Sequence, residues 1–179
     1  MAEEKNEPWL NYFALTTVIL AVCATLSTFK GGGYSTRSVL SQAHASDQWA
    51  YYQAKSIKGY LYELQREKLE LELKQLGSKP APSLVEEYQK KIDGYTQNIQ
   101  RYNDEKAQIE KDARKFEATK EDAMVHAQAF GMAVIFLQIA ILLSSIAALM
   151  KKKPVWILGL ATGAVGVFYF INGFFLSMK

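Results

Sequence analysis

The sequence predicts an all-α membrane protein with three transmembrane helices and a long antiparallel coiled-coil hairpin inserted between the first and the second. Three uncharged segments, 9–29, 129–150 and 155–178, hold 21, 22 and 24 residues. About 20 apolar residues are enough for a helix to cross a bilayer. The segment between the first two is polar and has helical periodicity, which predicts a stalk outside the membrane.

Three regions follow from these boundaries. We expect the N-terminus and the first transmembrane helix at 1–33, the helical hairpin at 34–128, and the second and third transmembrane helices at 129–179. The mean hydropathy of −0.09 conceals this division, because a highly polar middle is averaged with two apolar ends.

Glycine and proline mark the expected helix ends. Glycines 31–33 should end the first helix, since three consecutive glycines disfavour helical structure, and Ser35 or Thr36 would cap the next. The hairpin loop is expected at 77–83, and Ser83 opens an S-x-x-E capping box for the second hairpin helix. No proline then occurs before Pro154. The second hairpin helix is therefore expected to continue through the membrane to Met150.

Each hairpin helix carries a heptad pattern of the kind that packs two helices together. In the second helix the pattern comprises Val85, Tyr88, Ile92, Tyr95, Ile99, Tyr102, Lys106, Ile109, Ala113, Phe116, Lys120 and Ala123. In the first helix it comprises Leu40, Ala43, Asp47, Ala50, Ala54, Ile57, Leu61, Leu64, Lys68, Leu71 and Gln75. Folding the chain at Pro80 places Leu71 opposite Tyr88 and Ile57 opposite Tyr102.

A second stripe is expected on the opposite side of the first hairpin helix. Tyr52, Gly59, Tyr62, Leu69, Leu73 and Leu76 share it, and Trp49 lies nearby. A lone hairpin would leave this stripe in water, so these seven residues are predicted to contact another chain, foremost a second copy of the same one. The alternative is that they are scattered surface aromatics, which are common.

Helix packing within the membrane is predicted from small and amide residues. Gly159 and Gly163 form a G-x-x-x-G pair in the third segment, which permits close approach of helix backbones. Gln138 and Asn172 are the amides deep in the apolar segments. They are expected to form interhelical hydrogen bonds, and a polar ring lining a symmetric pore is the alternative.

Patterns typical of catalysis are missing from the sequence. The two histidines, His44 and His126, are far apart in the expected hairpin, and Cys23 is the lone cysteine. We therefore expect no enzyme activity, no metal and no cofactor. The net charge of +3 gives no nucleic-acid footprint. The predicted partners are the chain itself, the lipid bilayer and, as an alternative, an envelope protein.

The segment from Asn6 to Leu64, with its D-Q-W-x-Y-Y-Q-A-K-S-I-K run at 47–58, resembles an uncharacterised family of bacterial membrane proteins described as a domain of unknown function. The resemblance implies a bacterial inner-membrane protein with one span before this segment and two after it. It implies no activity and no catalytic residue.

Two functions are compatible with these patterns. The first is a non-enzymatic, homo-oligomeric scaffold of the bacterial inner membrane, or a passive pore. The second is an accessory subunit whose stalk docks another envelope or membrane protein through Asp47–Tyr62. The short basic loop at 151–153 is expected in the cytoplasm. That orientation predicts a cytoplasmic N-terminus and a periplasmic stalk.

Overall fold

The computed structural model describes residues 9–77 and 81–175, which fold into three α-helices. Helix α1 is Trp9–Gln75, α2 is Pro82–Met150 and α3 is Lys153–Phe175. No strand occurs within these residues. The ends of the expected first and third regions, 1–8 and 176–179, and part of the expected loop, 78–80, lie outside the described residues.

Helix α1 runs through glycines 31–33, so the expected helix break there is wrong. A Cβ atom at Gly31 would lie 3.0 Å from the Cβ of Phe130, and the ring of Tyr34 stacks on that of His126, with 4.4 Å between centroids. Contacts with α2 therefore hold this part of α1 in helical form. They offset an intrinsic cost of about 1 kcal/mol for each glycine relative to alanine.

The helix termini use backbone caps. Gly77 has a φ of 77°, the left-handed conformation that glycine adopts readily after a helix. Helix α2 begins at Pro82, and Ala81 accepts its first hydrogen bonds, so the expected cap at Ser83 is displaced. Proline suits this first helical position because it has no N–H to leave unpaired.

At the other end of α2, the N–H of Lys152 donates to the carbonyl of Ala147 and that of Lys151 to Ala148. Lys151 has a φ of 52°. This is the Schellman pattern with a lysine in the position that usually holds glycine. It turns the chain sharply, and α3 follows at once.

The chain divides into two compact units. The described residues up to position 40 and from position 119 onward form the first, and the described residues from 41 to 118 form the second. In the first unit the three apolar helical segments pack around a core of Leu20, Ala24, Ala133, Leu137 and Ala140. Each of the three helices is long and apolar enough to cross a membrane.

In the second unit α1 and α2 pair with opposite chain directions. Later residues of α1 meet earlier residues of α2, as in the contacts of Glu72 with Tyr88 and of His44 with Phe116. Buried residues of α2, among them Ile99 and Ile109, line the contact. All twelve residues predicted for the α2 heptad are buried or half-buried.

Candidate functional site: the two faces of α1

The face of α1 that packs on α2 in the second unit carries small, polar and aromatic residues, with leucines only toward its C-terminal end. Its buried and half-buried residues follow heptad spacing and comprise Ser41, Ala45, Gln48, Tyr52, Lys55, Gly59, Tyr62, Arg66, Leu69, Leu73 and Leu76. We call this set the inner heptad. A Cβ atom at Gly59 would lie 3.9 Å from the Cβ of Tyr102, so the two backbones approach closely at this point.

Aromatic rings fill much of this contact. The ring centroid of Tyr62 lies 5.6 Å from that of Tyr95 and 5.7 Å from that of Tyr102. The indole N–H of Trp49 donates a hydrogen bond of 2.9 Å to Glu117 Oε1. Aromatic pairs at such separations contribute beyond their buried area. The pairing is thus specified by rings and hydrogen bonds as well as by aliphatic contact.

A charged pair lies within the same contact. Lys55 forms an ion pair with Glu105, and its ammonium also lies 5.1 Å from the ring centroid of Tyr51 and 5.3 Å from that of Tyr102. The Glu105 carboxylate, followed by Tyr51, raises the pKa of Lys55, while the Lys55 ammonium lowers the pKa of Glu105. Rings and carboxylate together favour the charged lysine.

The six residues predicted to face away from α2, and Trp49 near them, lie on or beside this contact. Gly59 is buried, and Trp49, Tyr52, Tyr62, Leu69, Leu73 and Leu76 are half-buried. The expected face assignment of α1 is therefore wrong. Their role as contacts with another chain stays a prediction.

The predicted face assignment differs from the structure by a rotation of α1 about its own axis. The expected pairs of Leu71 with Tyr88 and Ile57 with Tyr102 are replaced by Glu72 with Tyr88 and Gly59 with Tyr102. One residue along an α-helix turns the side chain by about 100°. A register error of one or two residues therefore exchanges the two faces, although the pairing level along the hairpin is nearly as expected.

The apolar heptad of α1 consequently points outward. Ile57, Leu61, Leu64 and Leu71 are 60%, 56%, 62% and 57% exposed. Ala43, Ala50 and Ala54 extend the same spacing and are also exposed. We call these seven residues the outer stripe. Asp47 and Lys68 occupy the two polar positions within it.

Helix α2 has no matching outer stripe in this unit. Among its described residues from 82 to 118, no large hydrophobic side chain is exposed. Its outward face carries charged and amide side chains joined by i,i+4 contacts, such as Lys91 with Glu87 and Arg114 with Glu110. The two helices of the hairpin are therefore unlike on their outward sides.

In the first unit, α3 packs through its glycines. Gly159, Gly163, Gly166 and Gly173 are buried. A Cβ atom at Gly159 would lie 2.9 Å from Ser144 Oγ, and one at Gly163 would lie 3.0 Å from a methyl carbon of Leu20. The G-x-x-x-G pair thus lies where helix backbones approach most closely, as small residues permit.

The two amides predicted for packing or a pore are placed differently. Asn172 is buried within the first unit, and Gln138 is exposed on the outside of α2. The unit does not bring these two side chains to one surface. Asn172 therefore faces other residues of the unit, whereas Gln138 faces outward.

Sequence reasoning missed one contact cluster in the first unit. His126 Nδ1 lies 2.7 Å from the carbonyl oxygen of Gly173. A carbonyl oxygen only accepts, so Nδ1 carries the proton and caps the C-terminal end of α3. The ring of Tyr34 stacks on that of His126 and thereby joins all three helices. The sequence signal for this cluster is a histidine three residues before an apolar segment, and that signal alone does not identify a contact.

No constellation for metal binding is present in the described part of the chain. No group of three His, Cys, Asp or Glu side chains within 9–77 and 81–175 could hold a metal ion. Open grooves run along the helices, such as that lined by Tyr62, Tyr95 and Tyr102.

The fold and these surfaces define a class: all-helical proteins with three long apolar helices and a polar helical pair. The chain belongs to the family described as a domain of unknown function (DUF4337), whose model matches residues 9–176. The expected resemblance to an uncharacterised family is confirmed. No curated protein and no solved structure gives a significant match.

Proposed function

We propose that this chain is a non-enzymatic, homo-oligomeric scaffold protein of a bacterial inner membrane. Its three apolar helical segments would cross the bilayer, and residues 41–118 would form a coiled-coil stalk outside the cytoplasm. The lysines at 151–153, in the short connection between α2 and α3, support this orientation, since short basic loops remain in the cytoplasm.

The observation that carries the proposal is the outer stripe of α1. A stalk in water gains no stability from exposed leucines, and burying one such side chain contributes about 1.5–3 kcal/mol. Repeated 3–4 spacing is the pattern with which helices associate side by side. The stripe therefore supports a contact with another helix.

A second copy of the chain is the partner that best fits the stripe. The outward face of α2 is charged, so it offers the stripe no apolar surface. The outer stripe of another copy is apolar, has the same spacing and is self-complementary about a symmetry axis. We therefore place α1 helices of different copies against one another, with the α2 helices outside them.

The test changes the stripe without changing the inner heptad. A variant with Leu61→Glu and Leu64→Glu should lose association by at least tenfold, because two buried apolar side chains per chain become charged. The control carries the same added charge at exposed positions of α2, Asn103→Glu with Ala107→Glu. Helix content, measured by circular dichroism, should be equal in all three proteins.

Native mass spectrometry of the detergent-solubilised chain gives the result directly. The proposal expects one multimer for the wild type and the control, and a smaller species for the Leu61/Leu64 variant. A monomeric wild type would refute it. So would a Leu61/Leu64 variant with the wild-type mass. A complex containing a different protein in fixed ratio would replace the homo-oligomer with an accessory subunit.

A further inference from the structure

The amide of Gln138 lies near the middle of the apolar part of α2 and points away from the first unit. It is nine residues beyond Ala129, or about 13 Å along the helix axis, close to half the thickness of a hydrocarbon core. The side chain is exposed, and its amide makes no hydrogen bond to another described residue. Under the proposed membrane placement, this amide would face hydrocarbon.

The exposed threonine and serine side chains in the apolar segments are satisfied within their own helix. The hydroxyls of Thr25, Thr28 and Ser145 each donate to the carbonyl four residues earlier, at 2.9, 3.0 and 2.9 Å. Gln138 makes no such bond. Lipid chains have no donor or acceptor to offer, and an unpaired polar group in hydrocarbon is costly. The amide therefore requires a partner from outside the unit.

The surroundings of Gln138 are those of a helix contact. An outward stripe with heptad spacing runs along this part of α2 and comprises Gly131, Ile135, Gln138, Leu142, Ser145 and Leu149. We call it the membrane stripe. All six residues are exposed, and Ile135, Leu142 and Leu149 are 51%, 62% and 87% exposed. Small or polar residues alternate with large apolar ones, as in associating membrane helices.

We propose that the membrane stripe is a contact between two copies of this chain, in which the Gln138 amides hydrogen-bond to each other. A carboxamide holds both donors and acceptors, so it is complementary to its own copy across a symmetry axis. This property favours a second copy over lipid. The inference rests on the proposed function, because it requires membrane insertion and self-association, and it adds the surface used within the bilayer.

Cysteine cross-linking of the full chain in liposomes tests the surface. In a Cys23→Ser background, Ile135→Cys or Leu142→Cys places a single thiol on the membrane stripe and leaves Gln138 in place. Met132→Cys and Ile139→Cys are the matched controls, since both positions are exposed but lie off the stripe. Oxidation should give disulfide-linked dimers with Ile135→Cys and Leu142→Cys, and little dimer with the two control variants.

A second variant tests the amide itself. Gln138→Leu, added to Leu142→Cys, should weaken association about 5- to 30-fold, since hydrogen bonds between membrane helices contribute about 1–2 kcal/mol in model peptides. Thr25→Val is its control, because that hydroxyl is already satisfied by its own helix. Gln138→Leu makes the segment more apolar, so membrane insertion should be retained. Circular dichroism checks that the helix content is unchanged.

The outcomes separate this inference from the proposed function. Stripe-specific dimers that weaken with Gln138→Leu support it. Equal cross-linking at all four positions overturns it, as does undiminished cross-linking with Gln138→Leu. A multimer by native mass without stripe cross-links overturns this inference and leaves the proposed function standing. A monomer without cross-links overturns both.

Discussion

The two units of this chain achieve helix packing in opposite ways. In the first, backbones approach through glycine and alanine, and Ala133, Leu137 and Ala140 are fully buried. In the second, the contact holds rings, an ion pair and hydrogen bonds, such as those of Trp49 and Lys55. Small residues favour van der Waals contact between backbones in lipid, whereas polar and aromatic pairs add specificity in water.

The outward faces of the two units differ in what their exposed apolar side chains imply about function. Exposed apolar side chains around the first unit suit a lipid environment and need no protein partner. The outer stripe of α1 belongs to a unit whose other helix is charged on its outside, so under the proposed membrane placement the stripe lies in water unless another chain covers it. The same degree of exposure thus has different meanings: in the second unit the apolar stripe itself calls for a protein partner, whereas in the first unit only the Gln138 amide does.

Close backbone approach in the first unit can be broken by a single methyl group. A Cβ atom at Gly166 would lie 2.8 Å from Leu137 Cγ and 2.9 Å from its backbone nitrogen, which cannot move without α2. Gly166→Ala should therefore destabilise the protein by about 1–3 kcal/mol. Thermal unfolding in detergent, followed by circular dichroism, measures the change.

The matched substitution at Gly33 should change the stability in the opposite direction. Gly33→Ala adds a methyl group where nothing lies within 4 Å, so it should stabilise α1 by about 0.5–1 kcal/mol. If Gly166→Ala unfolds at the same temperature as Gly33→Ala, close glycine packing does not hold α3 in place.

The ion pair of the second unit gives a smaller, pH-dependent effect. Glu105 has a lowered pKa in the folded chain, so it contributes stability above its ordinary value of 4.5, and this contribution is lost as the pH falls through the lowered value. The stability difference between the wild type and Glu105→Gln should therefore be constant at neutral pH and should shrink below about pH 4.5. Unfolding temperatures of the two proteins, measured from pH 7 to pH 3, test this expectation.

Lys55 is the source of the shift, so Lys55→Met provides the control. In a Lys55→Met background, Glu105→Gln should have little effect at any pH. A difference between the wild type and Glu105→Gln that persists unchanged to pH 3 would show that Glu105 is not held by this lysine.

Much of the fold was predictable from sequence, because α2 carries one consistent signal. Large apolar and aromatic residues recur at the heptad positions, and charged residues fill the others, so Ile99, Tyr102 and Ile109 were assigned correctly to the contact. The three apolar segments were equally clear from length and composition. Hydrophobic patterning suffices where only one face of a helix is apolar.

The faces of α1 were not predictable by the same rule, because both carry heptads. The more apolar one was assigned to α2, whereas the structure buries the one that includes Ser41, Lys55 and Gly59. Hydrophobic patterning does not assign such residues to a contact, because they contribute little apolar surface of their own.

The candidate contacts of the first unit were only partly predictable. The G-x-x-x-G pair identified where α3 packs, but the sequence does not state which way a lone amide points. Gln138 and Asn172 look alike in their segments, yet one is exposed and the other is buried. Their difference depends on the rotation of each helix, which the packing of its neighbours determines.

Disulfide formation distinguishes the two faces of α1, since the inner heptad is turned to α2 and the outer stripe is proposed to contact another copy. In a Cys23→Ser background, Gly59→Cys with Tyr102→Cys should link within one chain, because the 3.9 Å between Cβ atoms suits a disulfide. Leu61→Cys alone should link two chains. Efficient linking within one chain by Ala50→Cys with Ile109→Cys, together with monomeric Leu61→Cys, would contradict the account.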